Sequence, residues 1–167
     1  MSTAMMKTHA ASKAKGDAFK KEAEAALNRF SFFGFAKEGN NQDAAGLYQQ
    51  AGNMYKLGNE WNDAGDVFKL ASEYHSKSDA GHDAIINMVE AAKAYQKDMI
   101  VDPSKCVDTF MVVIEMYNMK GDFSRSAKYM EEVAAIKEAV SLIFQGLLLY
   151  TFSILFPIEW CIRQICS

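Results

Sequence analysis

Three Asp-Ala pairs, Asp43-Ala44, Asp63-Ala64 and Asp83-Ala84, recur at a constant offset of 20 residues. At the same offset Tyr48 aligns with Phe68 and Met88, Ala51 with Ala71 and Ala91, and Tyr55 with His75 and Tyr95. Within each unit these positions fall at i, i+4, i+7 and i+11, which is one face of a helix. The acidic residue that opens each unit favours the positive end of the helix dipole. Alanines at matching points on successive helices leave room for a neighbour's aromatic ring, the small-against-large packing of antiparallel helix pairs. Two such helices make a repeat of about 40 residues, in the range of helical solenoids. The pattern predicts an all-α fold, an antiparallel helix-pair solenoid of the tetratricopeptide-like superhelical kind.

Punctuation places the elements. Only two prolines occur and β-branched alternation is scarce. Predicted helices run over Ser12 to Arg29, Gln42 to Leu57 and Asn62 to Lys77, from a Ser78 or Asp79 cap to Lys97, then over Pro103 to Lys120 and Phe123 to Ala139. Gly58-Asn59 and Gly121-Asp122 are stop signals, and Asp102 before Pro103 is an N-cap followed by an N1 proline. Extra residues between Asp102 and Cys106 loosen the register, yet Val107, Phe110 or Met111, Ile114 and Tyr117 keep the stripe. Residues 1–11 are expected to be a disordered N-terminus.

Charge and side-chain inventory exclude several function classes. A formal charge of −3 gives no global basic field, so nucleic acid is not an expected partner. Between Lys7 and Arg29, however, six Lys/Arg face three Asp/Glu, a local excess that anionic surfaces would feel. Cys106, Cys161 and Cys166 are odd in number and widely spaced, which fits a reducing compartment. No apolar run precedes the N-terminal charges, so no secretory signal is read and a cytoplasmic location follows. His75 occupies an aromatic slot and His82 has no partner at ligand spacing, so no metal site is expected. Glu131-Glu132 reads as a solvated helix face. Without a Gly-rich phosphate loop, GxSxG or HExxH, nothing supports an enzyme, a catalytic residue or a cofactor.

Two stretches depart from the solenoid pattern. "RFSFFGFAKEG" at 29–39 sets Phe30, Phe32, Phe33 and Phe35 within six positions, in a segment that reads neither as helix nor as buried strand. Ala139 to Ile158 is a run of 20 residues without a charge, the length of a membrane span.

An N-terminal charged helix, "FSFFGF", "AAGLYQQAGNMYKLGNEWNDAGDVFKLASEYH", "DAIINMVEAAKAYQK" and "CVDTFMVVIEMYNMKGDFSRSAKYMEEVAAI" together resemble the N-terminal half of the soluble NSF attachment proteins, nearest to the alpha type. The resemblance spans roughly residues 15 to 138, and its blocks are more specific than generic tetratricopeptide similarity. It implies a twisted right-handed sheet of antiparallel helices that lies along the SNARE four-helix bundle, of syntaxin-type proteins. It also implies engagement of NSF, an AAA ATPase, through the C-terminal region of the adaptor. In the family a hydrophobic loop after the first helix enters the membrane, and the resemblance assigns that role to loop 30–36, with Phe32 and Phe33 as its paired aromatics. Fully burying a Phe side chain is worth up to about 3 kcal/mol, so two could give about 6 before ordering costs. A net of about 4 kcal/mol is only millimolar affinity, so such a loop works as a second foothold beside SNARE binding. The family's basic SNARE-facing positions correspond to Lys128 in "SAKYM", with Lys56 and Lys93 as further candidates that read equally well as solvated lysines. Where the family carries "GRF" this chain has "GDF", so Asp122 stands in place of a basic residue and would oppose an acidic bundle.

The resemblance ends near Glu138, which describes a truncated solenoid over 12–138 followed by an apolar tail, 139–167, unlike the family. On that reading the recruitment of NSF would be impaired. The tail admits three accounts: a transmembrane anchor at 139–158, a cap on the open end of the solenoid, or translated sequence under no selection. Two other function classes stay open beside the peripheral SNARE adaptor: a tetratricopeptide-like peptide-binding scaffold and a tail-anchored membrane protein.

Overall fold

The aromatic slot that closes each repeat also closes its helix. The main-chain N–H groups of Glu60, Ala80 and Asp122 donate to the carbonyls of Tyr55, His75 and Tyr117, at 2.9, 3.0 and 3.0 Å. In each turn the residue just before the donor has positive φ: Asn59 and Asp79 at 58° and Gly121 at 73°. These are three copies of one Schellman-type ending, using the residues that tolerate a left-handed backbone at least cost. The α4–α5 connection instead ends on Asp102, whose Oδ1 accepts from the Lys105 N–H at 3.1 Å ahead of Pro103.

The computed structural model describes the backbone of residues 3–28, 36–98 and 102–165, and side chains of 5–28, 39–98 and 102–149. Its helices are α1 (Thr3–Leu27), α2 (Ala36–Leu57), α3 (Trp61–Lys77), α4 (Gly81–Lys97), α5 (Pro103–Met119) and α6 (Phe123–Ile165). Three boundaries differ from the sequence reading. α1 begins at Thr3 rather than near Ser12, so residues 3–11, expected to be disordered, are helical; they hold Ala, Met and Lys and no helix breaker. α2 begins at Ala36 rather than Gln42, and α6 continues past Ala139 because no stop signal follows Gly121-Asp122. Ser78 caps the end of α3, its Oγ donating to Tyr74 O at 2.8 Å, and the N-cap of α4 is Ala80.

The chain divides into two units, Met1–Met130 and Glu131–Ser167. In the first, the repeated stripe is the core: Ala51, Ala71 and Ala91 are fully buried, as are Phe68 and Tyr95. Glycine brings the helices closest. A Cβ on Gly52 would lie 2.7 Å from the Phe68 ring, one on Gly16 would lie 2.9 Å from the Tyr55 ring, and one on Gly65 would run into the Tyr95 ring. After two of these glycines comes an aspartate that accepts the tyrosine's hydrogen bond: Tyr55 Oη donates to Asp17 and Tyr95 Oη to Asp66, both at 2.6 Å. Burial, reinforced by the adjoining carboxylate, pushes both hydroxyls far above the ordinary tyrosine range.

Ion pairs then join alternate helices. Lys13 of α1 reaches Asp63 at 2.8 Å and Glu60 at 3.5 Å ahead of and within α3, and Lys105 of α5 reaches Asp66 of α3 at 2.9 Å while lying 4.4 Å from the Tyr95 ring centre. Odd-numbered helices therefore form one layer. In the second layer Lys56 of α2 reaches Glu90 of α4 at 2.6 Å. Tyr129 of α6 stacks on Phe110 and Tyr117 of α5, with ring centres 5.8 and 5.7 Å apart. His75 fills its aromatic slot at 7% exposure, and among the described residues neither ring nitrogen has a hydrogen-bond partner. Met88, the third member of its aligned set, is only half-buried.

The second unit is the C-terminal part of α6. Val133 and Ile136 are buried, whereas every described side chain from Ser141 to Leu149 is exposed, including Leu142, Ile143, Phe144 and Leu147.

Two predictions follow from these contacts. Gly65→Ala gains helix propensity but forces the Tyr95 ring to move, for a net loss of about 1–3 kcal/mol. Gly46→Ala, where a Cβ meets nothing within 4 Å, gains about 0.5–1 kcal/mol; urea midpoints of the two variants test the contrast. The second concerns Asp66. Burial raises its carboxyl, but the bonds from Tyr95 and Lys105 outweigh this and hold it below the ordinary range. The stability this supplies is present above about pH 4 and is lost as pH falls through the lowered value. Between pH 5 and pH 3 the parent chain should lose more stability than Asp66→Asn, measured by denaturant midpoints across that range.

Candidate functional site

The lysines singled out in the sequence fall into two environments. Lys56, near the end of α2, and Lys93 of α4 converge on Glu90, with Nζ–carboxylate distances of 2.6 and 3.5 Å. Burial raises the Glu90 carboxyl, but the two lysines outweigh it and hold it below the usual carboxylate range. Lys56 also lies 5.6 Å from the centre of the Phe68 ring, so it serves as a tie between α2 and α4 as much as a surface charge. The cluster as a whole keeps one net positive charge. Lys128, on the first part of α6, is exposed, lies 5.9 Å from the Tyr129 ring centre, and makes no ion pair among the described residues. An incoming carboxylate would meet it without displacing a carboxylate among the described residues.

Asp122, placed by the resemblance where the family has a basic residue, does local work. Its Oδ1 accepts from the Arg125 N–H at 3.1 Å, capping α6, and its Oδ2 pairs with Arg125 Nε at 3.2 Å. Its charge is thus already matched by the helix dipole and a guanidinium. The aromatics Phe30, Phe32, Phe33 and Phe35 lie outside the described residues. So do the side chains of the apolar tail beyond Leu149; among the described residues no helix is long and apolar enough to cross a membrane.

A groove of about 660 Å³ runs between α3 and α5, with Leu70, Met88, Val112 and Met116 as its apolar lining and Lys69 and Glu73 on its rim. Among the described residues no group of three or more His, Cys, Asp or Glu is placed to hold a metal. Sequence reasoning passed over the Gly-Asp pairs that receive the tyrosines. Their signal is visible in hindsight as "GDAF" at 16–19 and "GDVF" at 65–68, each preceding the tyrosine of the next helix.

Comparison with known proteins bears on this arrangement of solenoid, exposed lysine and shared Lys-Glu-Lys cluster. The family model "Soluble NSF attachment protein, SNAP" matches residues 14–150, which carries the match into the apolar run that begins at Ala139. The chain is 33% identical over 108 residues to the vesicular-fusion protein SEC17 of Komagataella phaffii, covering 65% of this chain and 35% of the relative. It is 32% identical over 113 residues to the human alpha-soluble NSF attachment protein, covering 66% and 37%. With the bovine beta-soluble NSF attachment protein it shares 31% identity over 97 residues, covering 58% and 32%. The chain thus spans about a third of the length of these relatives. Its helical-repeat solenoid and the family match over most of its length place this chain in the SNAP family, a family of vesicle-fusion adaptors rather than enzymes.

Proposed function

We propose that this chain binds the assembled SNARE four-helix bundle at the cytoplasmic face of a membrane, as part of an adaptor that links the bundle to an NSF-type AAA ATPase for disassembly. The observation that carries the reading is Lys128, an exposed cation that makes no ion pair among the described residues, on a helix of a SNAP-family solenoid. The Lys56-Glu90-Lys93 cluster adds one more net positive charge, less available to a partner because both lysines are paired with Glu90. Asp122 does not weigh against an acidic partner as a lone charge would, because Arg125 neutralises it in place. The Phe32/Phe33 segment supplies the membrane foothold in this reading, and attachment is peripheral.

Co-flotation with vesicles bearing an assembled SNARE bundle tests the proposal. Lys128→Glu should weaken bundle binding about tenfold, the effect of removing an attraction and adding a repulsion worth together about 1.4 kcal/mol. Lys93→Glu should weaken it less, and raising ionic strength should weaken all forms. Phe32→Ser/Phe33→Ser should reduce co-flotation while leaving binding to a soluble bundle unchanged. Equal binding by Lys128→Glu and the parent would sink the electrostatic reading. The α3–α5 groove favours a second reading, a scaffold for a short apolar peptide; binding there would be insensitive to salt and lost in Met116→Asp.

A further inference from the structure

Met119 and Phe123 are the two most exposed large apolar side chains among the described residues of the first unit, at 76% and 69%. They flank the α5–α6 turn, whose own chemistry needs neither of them. Gly121 supplies the left-handed backbone and Asp122 the cap. Between them Lys120 is exposed and makes no ion pair among the described residues, and Asp122 is matched by Arg125, so the tip carries one net positive charge.

The topology fixes where this tip sits. Asn59 and His9 approach to 3.4 Å, Lys13 reaches Glu60 and Asp63, and Lys105 reaches Asp66. The starts of α1, α3 and α5 therefore lie at one end of the solenoid and their C-terminal ends at the other. α1 ends at Leu27 at that second end, with Phe30, Phe32, Phe33 and Phe35 following in the sequence, and the α5–α6 turn lies at that end too. We infer that the α5–α6 turn is a second bilayer contact, in which Met119 and Phe123 enter the interface of an anionic membrane and Lys120 meets its headgroups. The inference rests on the peripheral membrane role proposed above. Two side chains at a turn cannot bury the roughly 1,000 Å² that a stable protein interface requires, whereas a bilayer accepts them without shape complementarity. Paired apolar and basic groups are what an anionic leaflet favours.

The test uses the full chain and vesicles of phosphatidylcholine with or without phosphatidylserine. Met119→Ser/Phe123→Ser should reduce partition onto serine-lipid vesicles about tenfold, and Lys120→Glu should remove most of the preference for the anionic lipid. In a separate variant, Phe123→Trp emission should shift to the blue on vesicle addition and be quenched by brominated lipids, relative to the parent chain with its own Trp61 and Trp160. If Phe32→Ser/Phe33→Ser loses partition while the tip variant keeps it and the new tryptophan is not quenched, the second contact is overturned and the aromatic-loop reading stands. If only the tip variant loses partition, the loop reading fails and the inference holds. A parent chain that partitions onto neither vesicle overturns both.

Discussion

The architecture depends on a tyrosine ring laid against a glycine. At Gly16 and Gly65 the absence of a Cβ lets the rings of Tyr55 and Tyr95 reach the neighbouring helix backbone, and the aspartate next in sequence receives each hydroxyl. A buried phenol without a partner would cost free energy, so the Asp is what permits a tyrosine rather than a phenylalanine at the slot. Phe68 on Gly52 is the comparison: the same close approach, no hydroxyl and no aspartate required. Each contact sets helix separation and axial register together, because the ring fits one notch and the hydroxyl reaches one carboxylate. The Schellman endings at Tyr55, His75 and Tyr117 use slot residues for their carbonyls, and at Tyr55 the ring-on-glycine packing point and the turn are set by one position.

Those contacts dictate how the surface charge is spent. Lys13, Lys56 and Lys105 are engaged between alternate helices, where they neutralise carboxylates that would otherwise be left beside the buried rings. A chain of net charge −3 has no surplus to attract an acidic partner at long range, so any such recognition must be local. Lysines tied internally contribute little to it, because drawing one outward uncovers its carboxylate. This separates Lys128 on α6 from Lys56 on α2, although both are lysines on solenoid helices.

Much of this was legible in the sequence because helical packing repeats. The 20-residue offset identified Ala51, Ala71, Ala91, Tyr55 and Tyr95 as core positions, and the stop signals at Gly58-Asn59 and Gly121-Asp122 located two of the three like turns. The third, at Ser78-Asp79, was read as a helix start because both residue types are good N-caps, whereas here Asp79 serves for its tolerance of positive φ. The length of α1 and α6 was missed for a related reason: an exposed alanine-rich or apolar stretch has no partner stripe to extend the pattern, although its propensity carries the helix on. The tyrosine–aspartate bonds were illegible as pairs, since a periodicity argument finds which residues face a neighbour but not which polar group completes them. Lys56 shows the same limit from the other side, a lysine whose role is decided by Glu90, 34 residues away.

A solenoid built this way turns weak contacts into usable ones. Odd-numbered helices held parallel by Lys13 and Lys105 bring the C-terminal ends of α1 and α5 to the same end, while Lys128 sits five residues beyond Phe123 on the helix that follows α5. Apolar groups at a turn are individually worth millimolar binding at best. Contacts fixed to one body need not pay the entropy of association again, so the second to engage does so at a high effective concentration. The ring-on-glycine register would then matter for function as well as for stability. A helix displaced by a single turn would move its end by about 5.4 Å along the axis, and with it whatever side chains the following turn presents.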